Sequence, residues 1–168
     1  MEQRRTLRNW AIAIIVAIGA GYLGATLLGP ALWLPILGAG LVYAGLRYGM
    51  DRSASVSLTI AALAGHTLWI GWGALGVPGA LALVGVDIVL NAFLILWLLV
   101  RPGYAVAAMI ILYQLFGLFG TIAAMQGAWG FDQARTLQIA ARLLIIAGAI
   151  GVMHDAYRQS RPPSGAAQ

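Results

Sequence analysis

Cysteine and lysine are both missing from these 168 residues, and charged side chains of any kind make up only 9% of them. The absence of cysteine excludes disulfides, thiolate metal ligation and dithiol redox chemistry. The scarcity of charge says more, because roughly 25% of the residues of a soluble globular domain are charged. A chain that is 61% hydrophobic cannot clothe a soluble surface, and its expected partner is a lipid bilayer. Catalytic signatures are missing too: there is no H-E-x-x-H, no G-x-S-x-G, no P-loop and no pair of histidines at metal-ligand spacing. No metal or cofactor is implied. GAGYLG at Gly19–Gly24 and GWGALG at Gly71–Gly76 match G-x-G-x-x-G, but dinucleotide binding needs a strand before that loop and a helix after it. Both copies lie inside apolar runs of a chain with 22 glycines.

The net charge of +5 rests on ten arginines. They stand mostly at the ends of apolar runs, where the positive-inside rule places them, and form no basic stripe interleaved with exposed aromatics. Nucleic acid is therefore excluded as a partner.

A hydrocarbon core of roughly 30 Å needs about 20 helical residues, and the apolar runs predict an all-α bundle of six transmembrane helices over residues 1–157. The first, Trp10 to Leu28, follows the basic start MEQRRTLR and reads as an uncleaved span. Gly29-Pro30 turns the chain into a second span, Ala31 to Leu46, since proline suits a first helical turn and not the continuation of a helix. After the polar loop RYGMDR, Ser53 and Ser55 are candidate N-caps for a third span ending near Leu75. Gly76-Val77-Pro78-Gly79 leads into a fourth, Gly79 to Val100, closed by Arg101-Pro102-Gly103. The fifth covers Tyr104 to Met125. Asp132 caps a sixth, from Gln133 to Tyr157, and residues 158–168 form a polar, disordered tail.

Six spans put both termini on one side. Arg4, Arg5, Arg8, Arg47, Arg52, Arg101, Arg158 and Arg161 fall there, against Arg135 at the far boundary, so that side is cytoplasmic. Trp10, Tyr48, Trp97, Tyr104 and Tyr157 would line the inner interface and Trp33, Trp72 and Trp129 the outer one. Short loops point to a bacterial-type plasma membrane.

Inside the runs lies a sparse polar set. His66 is in the third span, Asp87 and Asn91 in the fourth, Gln114 in the fifth, and Arg135, Gln138 and Arg142 in the sixth. A carboxylate at the depth of Asp87 costs about 2.5 to 3.5 kcal/mol to insert, so it faces protein or water. His66 and Asp87 stand at nearly equal distances on either side of Val77, and an antiparallel hairpin brings them to one depth. Asp87 is expected to pair with Arg142 or His66. Trp69, three residues beyond His66, shares its face. Arg135, Gln138 and Arg142, spaced i, i+3, i+7, line one face of the sixth span and would form a vestibule attracting a small anionic or polar ligand. In the first span Ala13, Ala17, Gly21, Ala25 and Gly29 recur every four residues, a stripe that lets another helix approach closely, within the chain or from a larger membrane protein.

Three functions fit this pattern. Transport or capture of a small molecule uses the polar set as a midplane site. In length and topology the chain is similar to the substrate-binding subunits of energy-coupling-factor importers, and that resemblance implies that Ala13, Ala17 and Gly21 dock a partner. A non-catalytic subunit or assembly factor of a larger membrane complex uses the polar set only to pin helix register. An intramembrane enzyme acting on a lipid or isoprenoid would use Asp87 as a general acid.

Overall fold

The structure, a computed structural model, describes residues 2–28, 32–126 and 133–160. Among them there is no strand. The elements are α1 (Glu2–Leu28), α2 (Trp33–Ala44), which continues into a π turn over Gly45–Gly49, α3 (Ala54–Leu75), α4 (Ala80–Val100), α5 (Tyr104–Gln126) and α6 (Gln133–Ser160). Gly29-Pro30, Trp129, Asp132 and residues 161–168, to which the sequence assigns a turn, an interface anchor, a cap and a tail, lie outside the described residues, as do the side chains of Ala25 and of residues 1–7. Three limits differ most from expectation: α1 takes in the basic start, the second helix leaves α geometry after Ala44 and its π turn takes in Arg47 and Tyr48 of the expected polar loop, and α6 runs to Ser160.

Local chemistry sets most of the ends. The Ser53 hydroxyl accepts from Val56 N at 3.3 Å and caps α3, while Ser55 lies inside the helix. After the bend at Val77-Pro78, α4 starts from Gly79 at φ +79°, a left-handed conformation that glycine enters without steric cost. Arg101 N bonds Trp97 O at 2.8 Å as α4 closes. Between α2 and α3, Asp51 holds φ +49°, Arg47 Nη1 donates to Arg52 O at 3.1 Å, and Arg52 Nη2 reaches Leu99 O at 3.0 Å. That last bond places a cation on a carbonyl of the final turn of α4, where the helix dipole favours it.

α3, α4, α5 and α6 are long and apolar enough to cross a membrane. α1 is 27 residues long, with Arg8–Gly24 its apolar stretch among the described side chains, and the 12 residues of α2 extend about 18 Å at helical rise. Large apolar side chains point outward over the surface, Leu83 at 82% and Phe116 at 80% exposure among them. This is the surface of a membrane protein.

α3 is the hub. It packs against α2, α4 and α6; α6 packs in turn against α5, α4 touches α5 only lightly, and α1 rests on α2. Small residues allow the closest approaches: a Cβ on Gly148 would stand 3.2 Å from Thr59 Cα, and one on Gly65 would stand 2.9 Å from Ala39 Cβ. The interior is layered along its axis. Ile60, Leu63, Leu94, Leu98, Ile110, Ile145 and Val152 form an apolar core in the half where α3 and α5 begin and α4 and α6 end. Arg47, Arg52, Arg101 and Arg158 stand at that same end. The polar residues come next along the axis, toward the Gly76–Gly79 turn.

The α3–α6 crossing should tolerate no added bulk. We expect Gly148→Val to destabilise the protein by about 1–3 kcal/mol, as overpacking does. Gly85, beside which a Cβ meets nothing within 4 Å, should accept alanine with a gain of roughly 0.5–1 kcal/mol. Thermal unfolding in detergent distinguishes the two.

Candidate functional site

Four helices contribute to one polar layer. α3 brings His66, α4 Asp87 and Asn91, α5 Tyr113 and Gln114, and α6 Arg142. His66, Asn91, Gln114 and Arg142 are all buried. The Tyr113 hydroxyl donates to an Asp87 carboxylate oxygen. Arg142 Nη1 donates to Gln114 Oε1 at 3.0 Å. The guanidinium lies across α5 at Gly117, where any Cβ would run into it. Thr121 completes that face of α5 and turns its hydroxyl to Gly117 O at 2.9 Å.

The expected ion pair of Asp87 with Arg142 or His66 does not form: neither reaches it within ion-pair distance, whereas Arg47 and Asp51 do pair, at 3.6 Å. The reason is positional. α4 and α6 share no substantial contact, because α3 and α5 stand between them. Consecutive residues on a helix point about 100° apart, so Tyr113 turns to α4 while Gln114 turns to α6. Two neutral side chains on α5 thus serve the carboxylate and the guanidinium separately. His66, Tyr113 and Arg142 still lie close enough to Asp87 to feel its charge. Tyr113 escaped the sequence reading because a tyrosine in an apolar run passes for a packing or interface residue. Its mid-helix depth, beside Gln114, was the available signal.

The layer has hydrogen-bonding capacity that the protein does not use. His66 Nδ1, both amide atoms of Asn91, Gln114 Nε2 and Arg142 Nε are buried without a protein partner. Each such group costs about 1–3 kcal/mol, and native proteins keep few of them. Here three of the five atoms fall in one stratum, and the two of Asn91 lie one turn below it.

Beyond this stratum opens a cavity of about 370 Å³ between α3, α4 and α6, lined by Trp69, Val84, Arg135 and Gln138 among others. Trp69 is three residues beyond His66, Val84 three before Asp87, and Gln138 four before Arg142, so on each helix the cavity wall stands one turn from the layer. His66 and Trp69 have ring centroids 6.3 Å apart, tilted at 60°. Of the residues singled out in the sequence, His66, Asp87, Gln114 and Arg142 come together in the layer, Asn91 lies one turn deeper, and Trp69, Arg135 and Gln138 flank the cavity. No group of three metal-ligating side chains occurs among the described residues.

The stripe on α1 faces inward. Ala17 and Gly21 are buried against α2, Ala17 on Gly40 and Gly21 on Trp33, and Ala13 is half-buried beside them. No family model, curated protein or solved structure matches the chain.

Asp87→Asn and Tyr113→Phe should be non-additive. A double-mutant cycle in thermal unfolding is expected to give a coupling of about 0.6–1.7 kcal/mol, the range of interhelical polar contacts in membranes. A coupling indistinguishable from zero would remove Tyr113 from the layer.

Proposed function

We propose that this chain is a multi-pass membrane protein that captures a small polar or anionic molecule at the layer between α3 and α6, as the binding step of transport. The observation that carries this reading is the stratum of buried, unpartnered polar atoms one helical turn from an open cavity. A purely structural network tends to close its own hydrogen bonds; this one holds both donors and acceptors in reserve. The apolar core beneath supports access from one end only. Arg142, bonded to a neutral amide and not to a carboxylate, leaves an electrostatic preference for an anion.

In this reading the chain crosses the membrane six times, α2 accommodating its shorter length by local thinning of the bilayer or by flanking side chains that snorkel. Arginine placement makes the end bearing Arg47, Arg52, Arg101 and Arg158 cytoplasmic, together with both termini, so the cavity opens outward from a bacterial-type plasma membrane. A second reading, as a non-catalytic subunit of a larger complex, is favoured by one feature: α1 packs on α2 and exposes Ile15, Leu23 and Leu27. The enzymatic reading has the least support, since Asp51 and Asp155 lie together at the opposite end, far from Asp87.

Mass spectrometry of the protein in nanodiscs tests capture. A retained small molecule should fall at least about tenfold in Arg142→Gln, a loss of about 1.4 kcal/mol, measured at a temperature at which parent and variant are both fully folded. A stoichiometric second polypeptide and no small molecule would favour the subunit reading. Because the chain has no cysteine, its orientation is testable by labelling. Val77→Cys should react with an impermeant maleimide from outside, and Met50→Cys only after permeabilisation.

A further inference from the structure

α2 and α6 both pack on α3 but share no substantial contact with each other, and a groove runs between them. Its floor is one face of α3: Ser55, Leu58, Ala62, Gly65 and Trp69, spaced 3, 4, 3 and 4 residues apart, as a helical face requires. Three cavities follow this face in series, of about 260 Å³ at Gly65, Ala62 and Trp69, about 350 Å³ at Ala62 and Leu58, where α1 and α2 form most of the wall and α6 contributes Leu144, and about 260 Å³ at Leu58 and Ser55. Ala62 lines both the first and the second, and Leu58 both the second and the third. From Ser55 to Trp69 the floor extends roughly 21 Å at helical rise, more than one leaflet of a hydrocarbon core roughly 30 Å thick.

The groove is apolar and narrow along its length and ends at polar residues. Trp69 lines both its outer end and the α3–α4–α6 cavity that holds Arg135 and Gln138. His66, buried with an unpartnered Nδ1, lines the same outer end. Arg142 and Asp87 both lie close enough to His66 for their charges to be felt there, and the Asp87 carboxylate accepts from Tyr113. A transmembrane helix does not fit this space: at about 10 Å diameter it would sweep out roughly 1,600 Å³ over 21 Å, well beyond the three volumes together. A single hydrocarbon chain does.

We propose that the captured molecule is an anionic amphiphile, its head seated at Trp69, His66 and the α6 arginine face and its long chain lying along α3 between α2 and α6. This rests on the capture reading and adds the substrate class to it. Loading is then lateral, from the bilayer, with the chain entering between α2 and α6 while the head moves toward Arg142.

Binding to the full-length protein in nanodiscs tests it with three probes: hexadecyl phosphate (head and chain), methyl phosphate (head alone) and hexadecanol (chain with a neutral head). Ala62→Phe fills the groove at mid-length, and Ala140→Phe, on an exposed alanine of its α6 wall, fills it from the side. Both should melt within a few degrees of the parent. We expect hexadecyl phosphate to be retained most strongly, to fall at least tenfold in each groove-filled variant and in Arg142→Gln, and methyl phosphate to be unaffected by groove filling. If methyl phosphate is held as tightly as hexadecyl phosphate, or both groove-filled variants bind like the parent, the amphiphile proposal is overturned while capture of a small anion stands. Equal retention of hexadecanol overturns the anionic head. Retention of none of the three overturns the proposal and counts against anion capture as well.

Discussion

Arg142 lies flat across α5 because Gly117 leaves that surface bare, and it ends in a hydrogen bond to Gln114. Much of the interior follows from this contact. A guanidinium inside a transmembrane bundle has to be turned from lipid and given oxygen partners, which draws α5 close to α6. With α6 also held on α3 through Gly148 and Gly151, α4 is left with only a light contact to α5 and little or none to α6. The carboxylate on α4 therefore finds Tyr113, and each of the two charges of the layer is met by its own neutral side chain on α5 instead of by the other charge.

The layering along the axis is what makes this arrangement a candidate site. Beneath the polar residues the helices close on aliphatic side chains packed out of contact with solvent or lipid, Leu63, Leu98, Ile110 and Ile145 among them. Above them the helices part around Trp69, Arg135 and Gln138. A molecule entering from the open end meets an aromatic ring and the polar face of α6 first, and unpartnered donors and acceptors one turn deeper. The opposite end is shut by the core and, at its rim, by Arg52 fastened to the last turn of α4. In the capture reading proposed above, such a bundle would bind from one side and would need a rearrangement, or a partner, to release to the other.

What could be read from the sequence and what could not divide along physical lines. Helix limits were legible wherever the signal was local: Ser53 as a cap, Pro78-Gly79 as a start, Arg101-Pro102-Gly103 as a stop. The polar set was legible because intramembrane polar residues are rare enough to stand out. Its pairing was not, since who faces Asp87 depends on which helices are neighbours, and hydrophobic periodicity is nearly silent in a chain whose helices are apolar all round. Ala17 and Gly21 showed the same limit: their spacing announced a packing face, but only the three-dimensional arrangement shows α2 against it. The π turn at Gly45–Gly49 left no mark that residue propensities reveal. The groove along α3 had no signature at all, because it is made by two helices failing to meet.

Asn91 separates a working layer from a merely structural one. It is fully buried, with neither amide atom bonded to the protein, so it contributes to binding or to nothing. The measurement to make is thermal unfolding of Asn91→Leu alongside its retention of any small molecule that co-purifies with the parent protein. Replacing an unsatisfied buried amide by an apolar side chain of similar shape is near neutral or stabilising. The account predicts an unchanged or higher melting temperature together with loss of the bound molecule. A lower melting temperature with retention intact would contradict it, and would make the layer a device for holding helices together.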